Sequence, residues 1–176
     1  MNFYAGRFNL YLLAGLALAL ACGCASSEKK KEDKSLGRLR VHIESTANSA
    51  NGGQVISVLR AKPVAISIAN EPILTEASII KAVLQESPGG FLIRIQFDTP
   101  GSWTLEQFSA ANPNEHFAIF GQWTDNSADS RWLAAPLITG RIADGILMFT
   151  PDMSHEEAVK YVKALNRSAK KAQNGE

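Results

Sequence analysis

The sequence predicts an α+β fold: a mixed, largely antiparallel sheet with two main helices, at about residues 101–111 and 154–168, packed on one face. Three observations carry this. Apolar residues alternate at period two in several short runs, turn residues separate those runs, and two stretches switch to helical spacing behind a start signal. With 176 residues, 45% of them hydrophobic, the chain can bury one core, so a single domain over 38–168 is expected. The formal charge of +1 gives no electrostatic pull toward nucleic acid, which would need a basic excess on one face.

Before the domain, residues 1–21 carry Arg7 as their only charge, followed by a Leu/Ala/Gly-rich run too short to span a bilayer and flanked like a secretory signal. Small residues then lead into Cys22, Gly23 and Cys24, and these two cysteines are the chain's only ones. No disulfide framework is therefore possible downstream. A Cys-Gly-Cys with no nearby His makes a poor zinc site, and neither a metal nor another cofactor is implied. An ordinary secretory leader and an uncleaved anchor helix are the plainer alternatives. Residues 26–35 (SSEKKKEDKS) lack Leu, Ile, Val and aromatic side chains, so 22–37 reads as a flexible, solvated tether.

The first strand is expected where Leu39, Val41 and Ile43 alternate with Arg40, His42 and Glu44, which puts His42 on a polar surface face. Asn-Ser-Ala-Asn-Gly-Gly at 48–53 is turn chemistry. Strands follow at 55–60 and, after Pro63, at 64–69. A short helix is expected near 75–80, capped by Thr75, and then a hairpin about Pro88-Gly89-Gly90 into the strand 91–97. Pro100 opens a helix carrying Trp103, Leu105 and Phe108 that ends by Asn112-Pro113. With the strand at 117–123 it can form a right-handed crossover unit, Trp103 and Trp123 capping the core beneath the helix. Residues 132–138 are extended around Pro136, which prefers a sheet edge. Asp144-Gly145, between Ile142 and Ile146, is a strong hairpin signal. Ser154 and Glu157 have capping-box spacing, and Ala158, Val162 and Leu165 form the stripe of the last helix. Lys163, Arg167, Lys170 and Lys171 read as solvating a frayed end, with 169–176 a disordered tail.

Catalytic signals are sparse. His42, His116 and His155 sit in no nucleophile, zinc or Cys-His context, and Asp125, Asp129 and Asp144 lie in turns where Asp serves the local backbone. No catalytic residue is assigned. Trp132, with Ala135 and Pro136, marks a candidate partner-binding edge where an extended chain would add a strand.

Two resemblances follow from these residues. Cys22, after Ala21, resembles the lipobox cysteine of bacterial lipoproteins, with Cys24 after Gly23 the alternative. That resemblance implies cleavage at the cysteine, a lipid-anchored chain, and, since neither cysteine precedes Asp, an outer-membrane destination. From about residue 72 to 165 the chain resembles the head subdomain of the first periplasmic domain of SecD and SecDF, membrane subunits that assist bacterial protein export. The residues that carry it are Pro72-Ile73-Leu74-Thr75, Ile95-Gln96-Phe97-Asp98 with Gly101, and Phe117-Ala118-Ile119-Phe120. Ala135-Pro136-Leu137-Ile138, Ile142 with Gly145, and Phe149-Thr150 ahead of Glu156-Glu157-Ala158 complete it. SecD continues into transmembrane helices that work with the proton gradient, whereas no second apolar run of spanning length follows here.

The expectation is therefore a noncatalytic lipoprotein, held to the membrane of the cell envelope and facing the periplasm or exterior. Its partner would be unfolded polypeptide or export machinery, not nucleic acid. A scaffolding lipoprotein unrelated to export is the alternative, and a hydrolase with an unrecognised site the third.

Overall fold

The structure is a computed structural model that describes residues 34–45 and 53–175. The leader, Cys22, Cys24, the tether up to residue 33 and the turn residues 46–52 lie outside the described residues.

The α+β expectation holds, with every strand pair antiparallel. The strands are β1 (Arg38–Ile43), β2 (Gly53–Val58), β3 (Val64–Ala69), β4 (Leu74–Thr75), β5 (Ile79–Ser87), β6 (Gly90–Phe97), β7 (Phe117–Gln122), β8 (Ser130–Ala134) and β9 (Ile146–Phe149). The helices are α1 (Thr99–Ala111) and α2 (His155–Gln173). The strands form three sheets, ordered β4-β1-β7-β8, β2-β3 and β5-β6-β9.

Sequence chemistry explains most boundaries. The Asp98 carboxylate accepts from the Gly101 amide at 2.8 Å and caps α1. At α2, Ser154 Oγ accepts from Glu157 N at 3.2 Å while Glu157 Oε2 accepts from Ser154 N at 2.7 Å, the capping box expected. The β5–β6 turn uses Gly89 at φ +88°, a value that suits glycine.

One large core lies between the two larger sheets and the helices. From α2 it takes Ala158, Tyr161, Leu165 and Ala169, from the first sheet Leu39, Val41, Ile119 and Leu133, and from the third Ile93, Ile95 and Leu147. α2 crosses the strands: Glu157 reaches Arg131 on β8, the Tyr161 hydroxyl donates to Arg38 O at 3.2 Å, and Asn166 meets Ala82 on β5. A second cluster covers the opposite face of the first sheet, where Ile56, Val58, Ile66 and Ile68 of the β2–β3 hairpin close over Ala118, Trp132 and Ala135. Each such aliphatic side chain contributes about 1.5–3 kcal/mol on burial.

Five expectations are corrected. His42 is buried rather than exposed: the polar face of β1 lies under the hairpin, where His42 Nδ1 meets Ala69 O at 2.8 Å and the ring lies 5.4 Å from that of Trp132. Near Thr75 there is a single 3₁₀ turn (Glu76–Ser78) without a side-chain cap, since residue 79 already enters β5. The β6–α1–β7 stretch makes no crossover, because β6 and β7 belong to different sheets. Asp144-Gly145 turns the chain, with Gly145 at φ +68°, but closes no hairpin, because β9 pairs with β6. The preceding segment is instead held by α1, Ile142 N donating to Ser109 Oγ at 2.8 Å. Finally, neither the tail at 169–173 nor the tether at 34–37 is loose. α2 runs to Gln173, Arg167 Nε donates to Ser35 O at 2.9 Å and Ser168 Oγ to Gly37 O at 2.7 Å. Gly37 is required there, since a Cβ would stand 2.6 Å from Leu165 N.

Candidate functional site

β8 ends its sheet and β2 ends the hairpin, and a groove of about 460 Å³ lies between them. Trp123, Arg131 and Trp132 line it on the sheet side, and Leu59, Arg60 and Pro63 on the hairpin side. Asp129, Asp152 and Glu157 border it.

The sheet wall is built from the capping box. With one oxygen of Glu157 committed to Ser154 N, the other holds Arg131 Nη2 at 2.5 Å. Arg131 in turn lies 4.8 Å over the ring of Trp123, a cation–π contact. Trp123 is buried and meets Tyr161 of α2 edge-on at 6.4 Å. The hairpin wall is fastened by Asp152. Its carboxylate accepts from Arg60 N at 2.7 Å and from the Arg60 guanidinium at 3.2 Å, while Asp152 N donates to Leu133 O on the outward edge of β8 at 2.7 Å. Residue 152 therefore takes one hydrogen-bonding position that an added strand would use. Leu59, at φ +68°, turns the chain into this contact.

Two of the groove's three carboxylates are paired with guanidinium groups. Burial alone would raise both carboxyls, but Arg60, helped by Arg131, holds Asp152 below the usual carboxylate range. The Ser154 amide and Arg131 do the same for Glu157. Both stay ionised near neutrality, the reverse of what a general acid needs. Asp129 Oδ2 accepts from Thr124 Oγ1 at 2.7 Å. What remains is a partly aromatic channel beside a strand edge, with two guanidinium groups against three carboxylates, suited to an extended backbone with apolar or aromatic side chains.

The sequence-predicted edge is placed as follows. The backbone of 135–137 continues along β7, with Phe117 N donating to Pro136 O at 3.1 Å and His116 bridging to Leu137. The Trp132 and Ala135 side chains turn inward onto the second cluster, Trp132 meeting Phe120 at 5.5 Å. Trp132 still lines the groove; Ala135 and Pro136 do not. Trp103, expected in the core, is 68% exposed on α1, because Gly101, Leu105 and Ser109 form the buried face there. The histidines are not brought together: His116 Nδ1 lies 2.6 Å from Glu44, and His155 Nε2 2.9 Å from Glu86. Among the described residues, no three of His, Cys, Asp or Glu converge as metal ligands. Sequence reasoning missed Arg131, Asp152 and Arg60, and the one available signal was the capping-box glutamate.

No protein-family model matches the chain, and no curated protein does. Among solved structures, it is similar to one of SecDF, described as a membrane component that enhances protein export. The TM-score is 0.53 at 18% identity, over 76% of this chain and 64% of that one. A SecDF structure in a super-membrane-facing form aligns at TM-score 0.49 and 15% identity, over 90% of this chain and 33% of that one. SecDF from Thermus thermophilus, described as a translocon-associated membrane protein, aligns at 0.41 and 15%, over 92% and 34%. The chain thus spans less than two thirds of the first structure and about a third of the others. The likeness is one of fold, and the fold is SecD-like.

Proposed function

We propose that this chain is a noncatalytic lipoprotein of the cell envelope that binds extended polypeptide, or a component of the export machinery, in the groove beside β8. The observation that carries the reading is the meeting of an end strand with a partly aromatic channel lined by Trp123, Arg131 and Trp132. Main-chain pairing to a strand edge supplies affinity without sequence demands, which fits a partner that is unfolded. The SecD-like fold supports it by likeness to a component described as enhancing protein export. The lipid sits on Cys22, or alternatively on Cys24, and directs the chain to the outer membrane because no Asp follows either.

A photo-crosslinker at Ala128, on the exposed rim, tests this in cells against one at Gln107 on α1. Adducts with exported polypeptides or export components at Ala128 alone are expected; equal yields at both positions would refute the reading. A second reading, a scaffold unrelated to export, is favoured by one observation: Trp132 and Ala135 are packed under the hairpin. It predicts that the Ala128 adduct is one stable envelope component.

A further inference from the structure

From Ala158 to Gln173, α2 carries five cations and no acid. Lys160, Lys163, Arg167, Lys170 and Lys171 recur at helical spacing on the face opposite Ala158, Tyr161, Leu165 and Ser168, which are buried. The stripe is about 17 Å long. Its four lysines are exposed, and among the described residues none of them has an ion-pair partner. Acids flank the stripe without an ion pair to it: Glu156 stands one turn before Lys160, Glu76 is turned inward onto Leu39 N at 3.0 Å, and Asp125 shares a pocket lining with Lys171. Helix-dipole complementarity accounts for cations in the last turn, but not for Lys160 and Lys163 farther back.

The position of the chain's start singles out an occupant. Ser35 and Gly37 are fastened to Arg167 and Ser168, so the chain enters the domain beside this stripe at Lys34. Both cysteines are close behind in sequence, within a fully extended reach of about 40 Å. We infer that the outward face of α2 docks on anionic phospholipid headgroups, laying the helix along the bilayer with the sheets and hairpin beyond it. Each lysine held within a Debye length of an anionic surface adds to the attraction, and salt weakens it. The groove borders the opposite end of α2, at Glu157, and remains open at the side of the docked domain.

The inference rests on the anchored reading for the chain's approach to the membrane, and one experiment separates the two. The full chain is reconstituted in vesicles of phosphatidylcholine alone or with about one third phosphatidylglycerol. Lysines are then acetylated with an amine-reactive ester and read by mass spectrometry. Labelling of Lys163, Lys170 and Lys171 should slow about fivefold on the anionic vesicles and recover in high salt. Lys62, on the hairpin turn, should be unchanged. In the variant Lys163→Gln/Lys170→Gln, protection of Lys171 should fall below about twofold. Equal labelling on both vesicles overturns the inference, as does protection by double-stranded DNA without any from anionic vesicles, which would assign the face to nucleic acid. The intact mass of the amino-terminal fragment reports the anchor separately. Bare cysteines with protected lysines would sink the anchor and keep this face; lipid with unprotected lysines would do the reverse.

Discussion

Replacing Gly121 by Ala should loosen α2 from the sheet and open the wall of the groove. Gly121 sits in β7 between Leu39 and Arg131, beneath Tyr161 of α2. A Cβ there would stand 2.8 Å from both Cζ and Oη of Tyr161 and closer still to a Leu133 methyl. Tyr161 is fully buried and Leu133 is too, so neither can turn away into solvent. Overpacking of this kind costs about 1–3 kcal/mol. Displacing the phenol also breaks its bond to Arg38 O, about 1 kcal/mol more for a buried hydroxyl left without a partner. The sum, about 2–4 kcal/mol, lowers the melting temperature by about 6–15 °C for a domain of this size. Glu157 lies one turn before Tyr161, so lifting the helix should also pull it off Arg131 and uncover Trp123, shifting its emission to the red. Circular dichroism melts and tryptophan fluorescence read both effects. The double variant Gly121→Ala/Tyr161→Leu should recover at least about 1 kcal/mol relative to the sum of the singles, because the room is restored. A Gly121→Ala melt within a degree or two of the parent, or strict additivity in the double variant, would refute this account of the contact.

Three further outcomes are expected. Burial, with a contribution from Arg40 and against the bond to Ala69 O, lowers the pKa of His42, so the unfolded chain takes up its proton first. The urea midpoint should therefore hold above pH ~6.5 and fall as pH drops from there toward the folded-state value, a step that His42→Gln removes; a midpoint rising on acidification would contradict it. Asn166 donates to Ala82 O at 2.8 Å and accepts from Ala82 N at 2.9 Å, closing the β5 edge, so Asn166→Ala should cost about 1–3 kcal/mol and give concentration-dependent association in light scattering. Asp152→Ala frees the hairpin tip, and losing about 1 kcal/mol of local clamp should speed tryptic cleavage after Arg60 about fivefold while global stability changes little.

Local chemistry was readable wherever a boundary depends on neighbours in sequence. The Ser154/Glu157 capping box, the Pro100 start of α1, the Gly89 turn and the alternation of Leu39, Val41 and Ile43 all rest on contacts or periods within a few residues. The same locality explains the misreadings. His42 alternates as a surface residue would, and only the hairpin folding back over β1 buries it. Trp103 looks like core in a helix that turns out to bury its small face.

Trp132 apart, the groove lies on the tertiary side of that line. Arg60 and Asp152 are 92 residues apart, and Arg131 and Glu157 are 26 apart. Their types and spacing carry no common motif, since nothing in a short window tells a carboxylate which guanidinium it will meet. The amino acids by themselves determined strands, caps, an amphipathic last helix and its cationic stripe, because those follow from backbone hydrogen bonding and helical period. Which strand ends a sheet, which face the hairpin covers and where the chain's start is pinned were decided by long-range packing, because burial rewards a surface only after its distant partner arrives.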